Sequence, residues 1–288
     1  MMHLTDMHTI QDLMQHYNFH VSKHMGQNFL IDDTVCPRMA ELGYAAPGQG
    51  ILEIGPGFGA LTQQLAIRAE KVVALELDAR LLPILQETVG EFSNIHLLQG
   101  DILKTDLSAL LNDEFSNLPV SVCANLPYYI TTPILMYLLE SNCPFSAITV
   151  MIQDEVAEKL TASIGTRSAG AITVAVQYYG TVQKLFDVPR TSFYPSPQVD
   201  SAVIQITPQL RYVNVIQNSN HFFAMVKNGF SQRRKTLVNG LSSTMNYDKK
   251  DLERCLASLS ISPQERFENL SMEQLIALSN CLCDLKTP

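Results

Sequence analysis

No apolar run in this 288-residue chain approaches the ~20 residues needed to cross a bilayer, so a membrane-spanning helix is excluded as an organising element. Met1 to His20 is polar and helix-like and lacks the basic-then-apolar order of a secretory signal; the expected setting is the cytoplasm. The cysteines (Cys36, Cys123, Cys143, Cys255, Cys281 and Cys283) are scattered apart from one Cys-x-Cys. No second Cys pair or His pair completes a zinc site, so no metal centre is expected. The thiols read as reduced and structural. Internal repeats and low-complexity segments are absent too.

Acidic residues are missing from one long stretch. Between Asp200 and Asp248 there is no Asp or Glu, while Arg211, Lys227, Arg233, Arg234 and Lys235 fall inside it. The net charge is −8, which by itself argues against a nucleic-acid partner. The five positive charges of this interval leave −13 for the rest of the chain. An acidic body with one basic segment suits an anionic partner docking at that segment; a solvated helix face is the plainer alternative.

What is present is enough apolar residue, 46% of the chain, for one large domain and a small one. Met7 to Tyr17 carries apolar residues at helical spacing. Met25-Gly26-Gln27-Asn28-Phe29-Leu30 reads as a loop that either covers a ligand or ties down the N-terminus. A helix is expected over Thr34 to Gly43. Strand signals then alternate with helix signals: strands at Ile51–Ile54, Lys71–Leu77, Asn94–Leu98, Val120–Ala124 and Ala147–Ile152, with helices over Ala60–Ala69, Leu81–Val89, Thr132–Glu140 and Asp154–Thr161. That alternation predicts an α/β fold with a parallel, doubly wound sheet. Ala169 to Tyr179 is ambiguous, its apolar spacing helical and its β-branched content strand-like. Lys184–Val188 and Val199–Ile206 read as two strands around a Pro-rich loop, pairing as a hairpin at the sheet edge. From Pro208 onward the pattern is purely helical. The domain division predicted is therefore 1–207 and 208–288.

Four positions fall just past strand ends, where open α/β sheets bind ligands. Gly55-Pro56-Gly57-Phe58-Gly59 follows the first core strand; its glycines permit a tight turn and close backbone approach to a ligand. Glu76 ends the next strand about 20 residues on, where a carboxylate accepts from ribose hydroxyls; Asp78 beside it reads as more exposed. Asp101 follows Gly100, placed either to accept from an adenine amine or to act as a turn or cap residue. Asn125-Leu126-Pro127-Tyr128 puts an amide, a rigid turn and an aromatic ring together, which suits methyl transfer to an exocyclic amine on a flat base.

Taken in order, Gly26-Gln27-Asn28-Phe29-Leu30, Glu53-Ile54-Gly55-Pro56-Gly57, Glu76-Leu77-Asp78, Gly100-Asp101, Asn125-Leu126-Pro127-Tyr128, Pro195-Ser196-Pro197-Gln198-Val199-Asp200-Ser201-Ala202 and Phe230-Ser231-Gln232-Arg233-Arg234-Lys235-Thr236-Leu237 resemble the ribosomal RNA small-subunit adenine dimethyltransferase family. The resemblance runs nearly end to end. It implies a Rossmann-like S-adenosylmethionine-dependent methyltransferase sheet with a smaller C-terminal all-helical domain that docks RNA. It implies that Asn28 and Leu30 cover the cofactor S-adenosylmethionine, that Gly55 lies against its amino-acid part, and that Glu76, Asp101 and Asn125 bind its ribose, its adenine amine and the cofactor–substrate junction. The implied product is a pair of adjacent N6,N6-dimethyladenosines in a hairpin loop near the 3′ end of 16S rRNA, made on the small (30S) ribosomal subunit by a monomer.

On this reading the Asn125 side-chain oxygen and the Leu126 carbonyl accept from the target amine, Tyr128 stacks on the base and Phe193 takes its opposite face. Arg233, Arg234 and Lys235 contact phosphate. Three other readings stand beside it. A nicotinamide oxidoreductase shares the Gly-rich turn and Glu76 but has no use for Asn125-Leu126-Pro127-Tyr128. A macrolide-resistance methyltransferase of large-subunit rRNA shares the core but fits the Phe193 loop and the C-terminal region less well. A ribosome-assembly factor without catalysis has no need of an intact Asn125 motif.

Overall fold

The computed structural model describes residues 2–22, 26–209, 211–212 and 214–285. Met25 of the Gly26 loop lies outside them. The chain divides into two compact units, Met1–Ala157 with Thr181–Pro208, and Glu158–Gly180 with Gln209–Pro288.

In the first unit, α1 (Met7–His16) is capped by Asp6, whose carboxylate accepts from Thr9 N at 2.9 Å. A two-residue strand β1 (Phe29–Leu30) and α2 (Val35–Leu42) follow. The sheet then builds through β2 (Gly50–Ile54), α3 (Ala60–Ala66), β3 (Lys71–Glu76), α4 (Leu82–Val89), β4 (Ile95–Gln99), α5 (Leu107–Phe115), β5 (Val120–Asn125), α6 (Thr131–Glu140) and β6 (Phe145–Gln153). After α7 (Asp154–Thr161) and α8 (Ala171–Tyr179) come β7 (Gly180–Val188), the short β8 (Phe193–Tyr194) and β9 (Ser201–Pro208).

The seven long strands lie in the order β4-β3-β2-β5-β6-β9-β7. Parallel pairing runs from β4 to β6, and β9 is antiparallel to β6, Ile148 facing Ile206 and Gln153 facing Ser201. Every residue of β2 is buried, as expected of a central parallel strand with both faces covered. The chain winds outward from β2 through β3 to β4, then returns to lay β5 on the other side of β2. That reversal is the switch point at which open sheets leave a crevice. A separate two-stranded sheet pairs β1 with β8, Leu30 facing Phe193 and Phe29 facing Tyr194.

The second unit is helical: α8, α9 (Ser219–Ser231), α10 (Leu237–Met245), α11 (Lys249–Ser258) and α12 (Met272–Asp284). Its core gathers Phe222, Met225, Leu241, Leu252, Leu256, Leu275 and Leu278 around Val174 and Tyr178 of α8. The division is thus not a single cut near Pro208. The ambiguous segment Ala169–Tyr179 is a helix, and its buried face belongs to this second core.

Two further readings change. Leu107–Phe115, for which no element was expected, is a helix capped by Asp106. Cys255 and Cys281 are joined by a disulfide, so the reading of all the thiols as reduced is corrected. The two residues are 26 apart in sequence and meet only because α11 and α12 lie in one core, which spacing alone does not reveal. Cys36, Cys123 and Cys143 take no part in a disulfide.

Candidate active site

The last residues of β2, β3 and β5, and Gly100 and Asp101 just past β4, line one cavity of about 1120 Å³ including its open mouth. Asn28, Leu30, Gly55, Glu76, Asp101, Asn125, Leu126 and Tyr128 all line it. Gly55 has φ +70°, a backbone state that strains any side chain with a Cβ, and a Cβ built there meets nothing within 4 Å. It leaves bare backbone against free volume, as close approach of a ligand requires.

Glu76 is 6% exposed. One carboxylate oxygen accepts from Asp78 N at 2.8 Å and the other from Gly57 N at 3.4 Å. Burial raises its pKa to about 7, the hydrogen bonds from Asp78 and Gly57 opposing and the nearby Asp78 charge adding. Asp78 itself is buried, which corrects its reading as exposed. Its carboxylate is taken by a two-point pair with Arg80, at 2.9 and 2.6 Å, and by Gln27 Nε2 at 2.9 Å. The Arg80 bonds hold it below the usual carboxylate range. Asp78 therefore anchors the Gly26 loop to the end of β3 and has little capacity left for a ligand.

Asp101 does both things its sequence context allows. It lines the cavity and its Oδ1 caps the following turn, accepting from Leu103 N at 3.0 Å. Asn28 Nδ2 donates to Gly26 O at 3.1 Å, fixing the loop beside it. Phe29 stacks on Phe58 at 4.1 Å and 8°, with Phe19 edge-on to both, so the loop over the cavity is pinned by an aromatic cluster.

The turn after β5 is held from two sides. Leu126 N donates to Met151 O at 3.2 Å, and Thr131 Oγ1 donates to Pro127 O at 3.1 Å. Tyr128 shares a 2.6 Å hydrogen bond with Ser201 Oγ of β9, fixing its ring at the cavity wall; burial raises its pKa. An amide, a carbonyl-bearing turn and a fixed ring can receive a flat base carrying an exocyclic amine.

Phe193 departs from its expected place. It is 2% exposed, pairs with Leu30, packs among Val35, Met39, Val188 and Val203, and is not in the cavity lining. The β1–β8 pairing turns its side chain into the core. Tyr129 lines the mouth instead and is 54% exposed.

Arg233 is a second correction. Its guanidinium donates to the main-chain oxygens of Arg167, at 3.1 Å, and Ala169, lies 3.6 Å from Glu268 and sits 5.3 Å over the Phe230 ring. It clamps segments of the helical unit together, so its half-buried charge is already engaged within the fold. Arg234 and Lys235 are exposed.

Sequence reasoning missed Glu53. It is 1% exposed, lines the cavity, and its Oε2 has no hydrogen-bond partner. The signal available was its place directly before the Gly-rich turn. An orphaned buried carboxylate oxygen, bare Gly55 backbone and a carboxylate at the ribose position together fit a nucleoside carrying an amino-acid cation. Among the described residues no group of three or more metal-ligating side chains occurs, and no helix is long and apolar enough to cross a membrane.

Comparison with known proteins converges on one group. The family model "Ribosomal RNA adenine dimethylase" matches residues 18–284. Ribosomal RNA small subunit methyltransferase A of Bacillus cereus (strain B4264) and of Bacillus mycoides (strain KBAB4) are each 45% identical over 276 residues, 94% of both chains. Among solved structures, a dimethyladenosine transferase from Plasmodium falciparum is similar with TM-score 0.71 and 25% identity, over 84% of this chain and 93% of that one. The 23S rRNA methyltransferase ErmE is similar with TM-score 0.67 and 26% identity, over 88% and 99%.

Proposed function

The chain belongs to the ribosomal RNA adenine dimethylase family, and we propose from that premise that its cavity transfers methyl groups from S-adenosylmethionine to two adjacent adenosines in a hairpin loop near the 3′ end of 16S rRNA. Membership gives the activity, adenine dimethylation of ribosomal RNA. The small subunit as substrate is supported by relatives at 45% identity that carry its name, against 26% for the large-subunit enzyme. Action in the cytoplasm, as a monomer, completes the reading.

The observation that carries the residue assignment is convergence: Asn125, Leu126 and Tyr128 open onto the same cavity as Gly55, Glu76 and Asp101. An adenine N6 amine is a poor nucleophile because its lone pair is delocalised into the ring. When bound, S-adenosylmethionine supplies a methyl on a sulfonium, a strong electrophile that needs no metal. The protein's part is to hold the amine in line and to aim acceptors at its hydrogens as the nitrogen becomes tetrahedral. Asn125 Oδ1 and the Leu126 carbonyl are those acceptors, and Tyr128 is the stacking face. Glu76 accepts from the ribose, Asp101 from the adenine amine, Asn28 and Leu30 cover the cofactor, and Gly55 lies against its amino-acid end. The target base leaves its stack to enter, which costs least in a loop.

Asn125→Ala tests the assignment. Turnover on small subunits falls by about two orders of magnitude or more with removal of an acceptor of this kind, while S-adenosylmethionine binding measured by calorimetry stays within a few-fold. Unchanged turnover refutes the role of Asn125.

A further inference from the structure

The cavity is lined by Glu53, Glu76 and Asp101 and, among the described residues, by no Lys, Arg or His. Glu76 and Asp101 have hydrogen-bond donors from the protein. Glu53 stands apart: it is almost wholly buried, and its Oε2 has no partner. It sits on β2 level with Ala74 of β3, two residues before the bare backbone of Gly55. Buried carboxylates without a partner are costly, and native proteins pair or neutralise them.

The groups around Glu53 supply no positive charge. Thr62 of α3 turns its hydroxyl toward it, a polar contact that favours the charged form but falls short of hydrogen-bond geometry. Glu76 of β3 adds a like charge. Cys36 of α2 and Cys123 of β5 are buried thiols, each made harder to ionise by burial first and by the Glu53 charge next. With nothing in the protein to balance it, Glu53 in the free protein carries a proton; burial, reinforced by Glu76 and only partly offset by Thr62, raises its pKa to about 8. The missing positive partner has to arrive with the ligand.

Resting on the cofactor reading above, we infer that Glu53 is the counter-ion for the positive charge of S-adenosylmethionine, and that cofactor binding expels a proton from the buried Glu53–Glu76 carboxyl pair. The balance is simple. Glu53 gives its proton to solvent, and the carboxylate left behind pairs with the incoming cation. The cation also cancels the like charge that Glu53 presents to Glu76, which stays ionised to accept from the ribose. Cofactor affinity then rises with pH while the free pair still holds a proton and levels off once it has lost it. Glu53 is a positioning residue: it acts on the cofactor's charged end, away from the target amine.

The test is isothermal titration of the full chain with S-adenosylmethionine at pH 7 in two buffers of different ionisation enthalpy, which counts protons released. About one proton leaves the wild-type protein per cofactor bound, and affinity rises roughly tenfold per pH unit between pH 6 and 7 and less steeply toward pH 8. Glu53→Gln mimics the protonated side chain; it releases less than about half a proton and its affinity profile is flat over the same range. The probe 5′-methylthioadenosine keeps the adenine and ribose without a charge, and its binding leaves the Glu53 proton in place. Tight S-adenosylmethionine binding with no proton release and a flat pH profile overturns this inference and leaves the cofactor assignment standing. Equal proton release with methylthioadenosine also overturns it, by assigning the proton to the ribose contact. No binding of S-adenosylmethionine at all overturns both.

Discussion

At the scale of single residues, the buried carboxyls set how the free protein responds to pH. Glu53 rises from an ordinary 4.5 to about 8, with burial as the main cause. An unfolded chain releases that proton near 4.5; the folded chain holds it to about 8. Between those values the folded state binds more protons, so its stability is full below 4.5 and declines as pH rises through the window. Glu76, raised to about 7 mainly by burial, acts in the same direction. Melting temperature without cofactor is therefore expected to fall from pH 5 to 8, more steeply in wild type than in Glu53→Gln. Parallel slopes contradict the account. Most of the site was legible at this scale because small motifs at strand ends carry it. Glu53 stood in the sequence only as part of the Gly-rich motif and was given no role, because its orphaned oxygen shows only in three dimensions. Phe193 was misplaced because the β1–β8 pairing that turns it inward joins segments more than 160 residues apart, Leu30 and Phe193.

At the scale of elements, alternation of apolar strands and amphipathic helices was enough to read the sheet, since buried parallel strands are continuous apolar runs. Leu107–Phe115 escaped because its signal is an Asp cap and a weak apolar stripe between stronger neighbours. Helix α9 shows what local pattern hides. Gly229 is buried against Phe267, and a Cβ there overlaps the ring. Gly229→Ala is expected to destabilise the helical unit by about 1–3 kcal/mol through overpacking, read as a lower urea midpoint, with S-adenosylmethionine affinity unchanged. A midpoint equal to wild type removes the packing role given to this glycine.

For the whole molecule, charge is divided between an acidic body and a basic stretch from Arg211 to Lys235. The structure divides the basic stretch again. Arg233 is spent on main-chain oxygens and Glu268, while Arg234 and Lys235 stay exposed. Replacing the exposed pair with Ala is expected to weaken binding to ribosomal RNA and to lower its logarithmic salt dependence by about one to two units, leaving thermal stability intact. Arg233→Ala is expected to lower thermal stability, and Arg233→Lys, which lacks the planar fork, does not restore it. An Arg233→Ala protein with wild-type stability and a reduced salt slope returns that residue to phosphate. Charge sums along a sequence cannot make this distinction, because they do not say which cations are already satisfied within the fold.

The central claim, that one cavity methylates adjacent adenosines of the small-subunit RNA, is tested most directly by the modified nucleoside itself. The protein is incubated with S-adenosylmethionine labelled in the methyl group and with small ribosomal subunits from a strain lacking the modification. The RNA is then digested, and the labelled nucleoside is identified and mapped. Label in N6,N6-dimethyladenosine at two adjacent positions near the 3′ end of 16S rRNA is the result predicted. Label absent there and present in large-subunit RNA contradicts it.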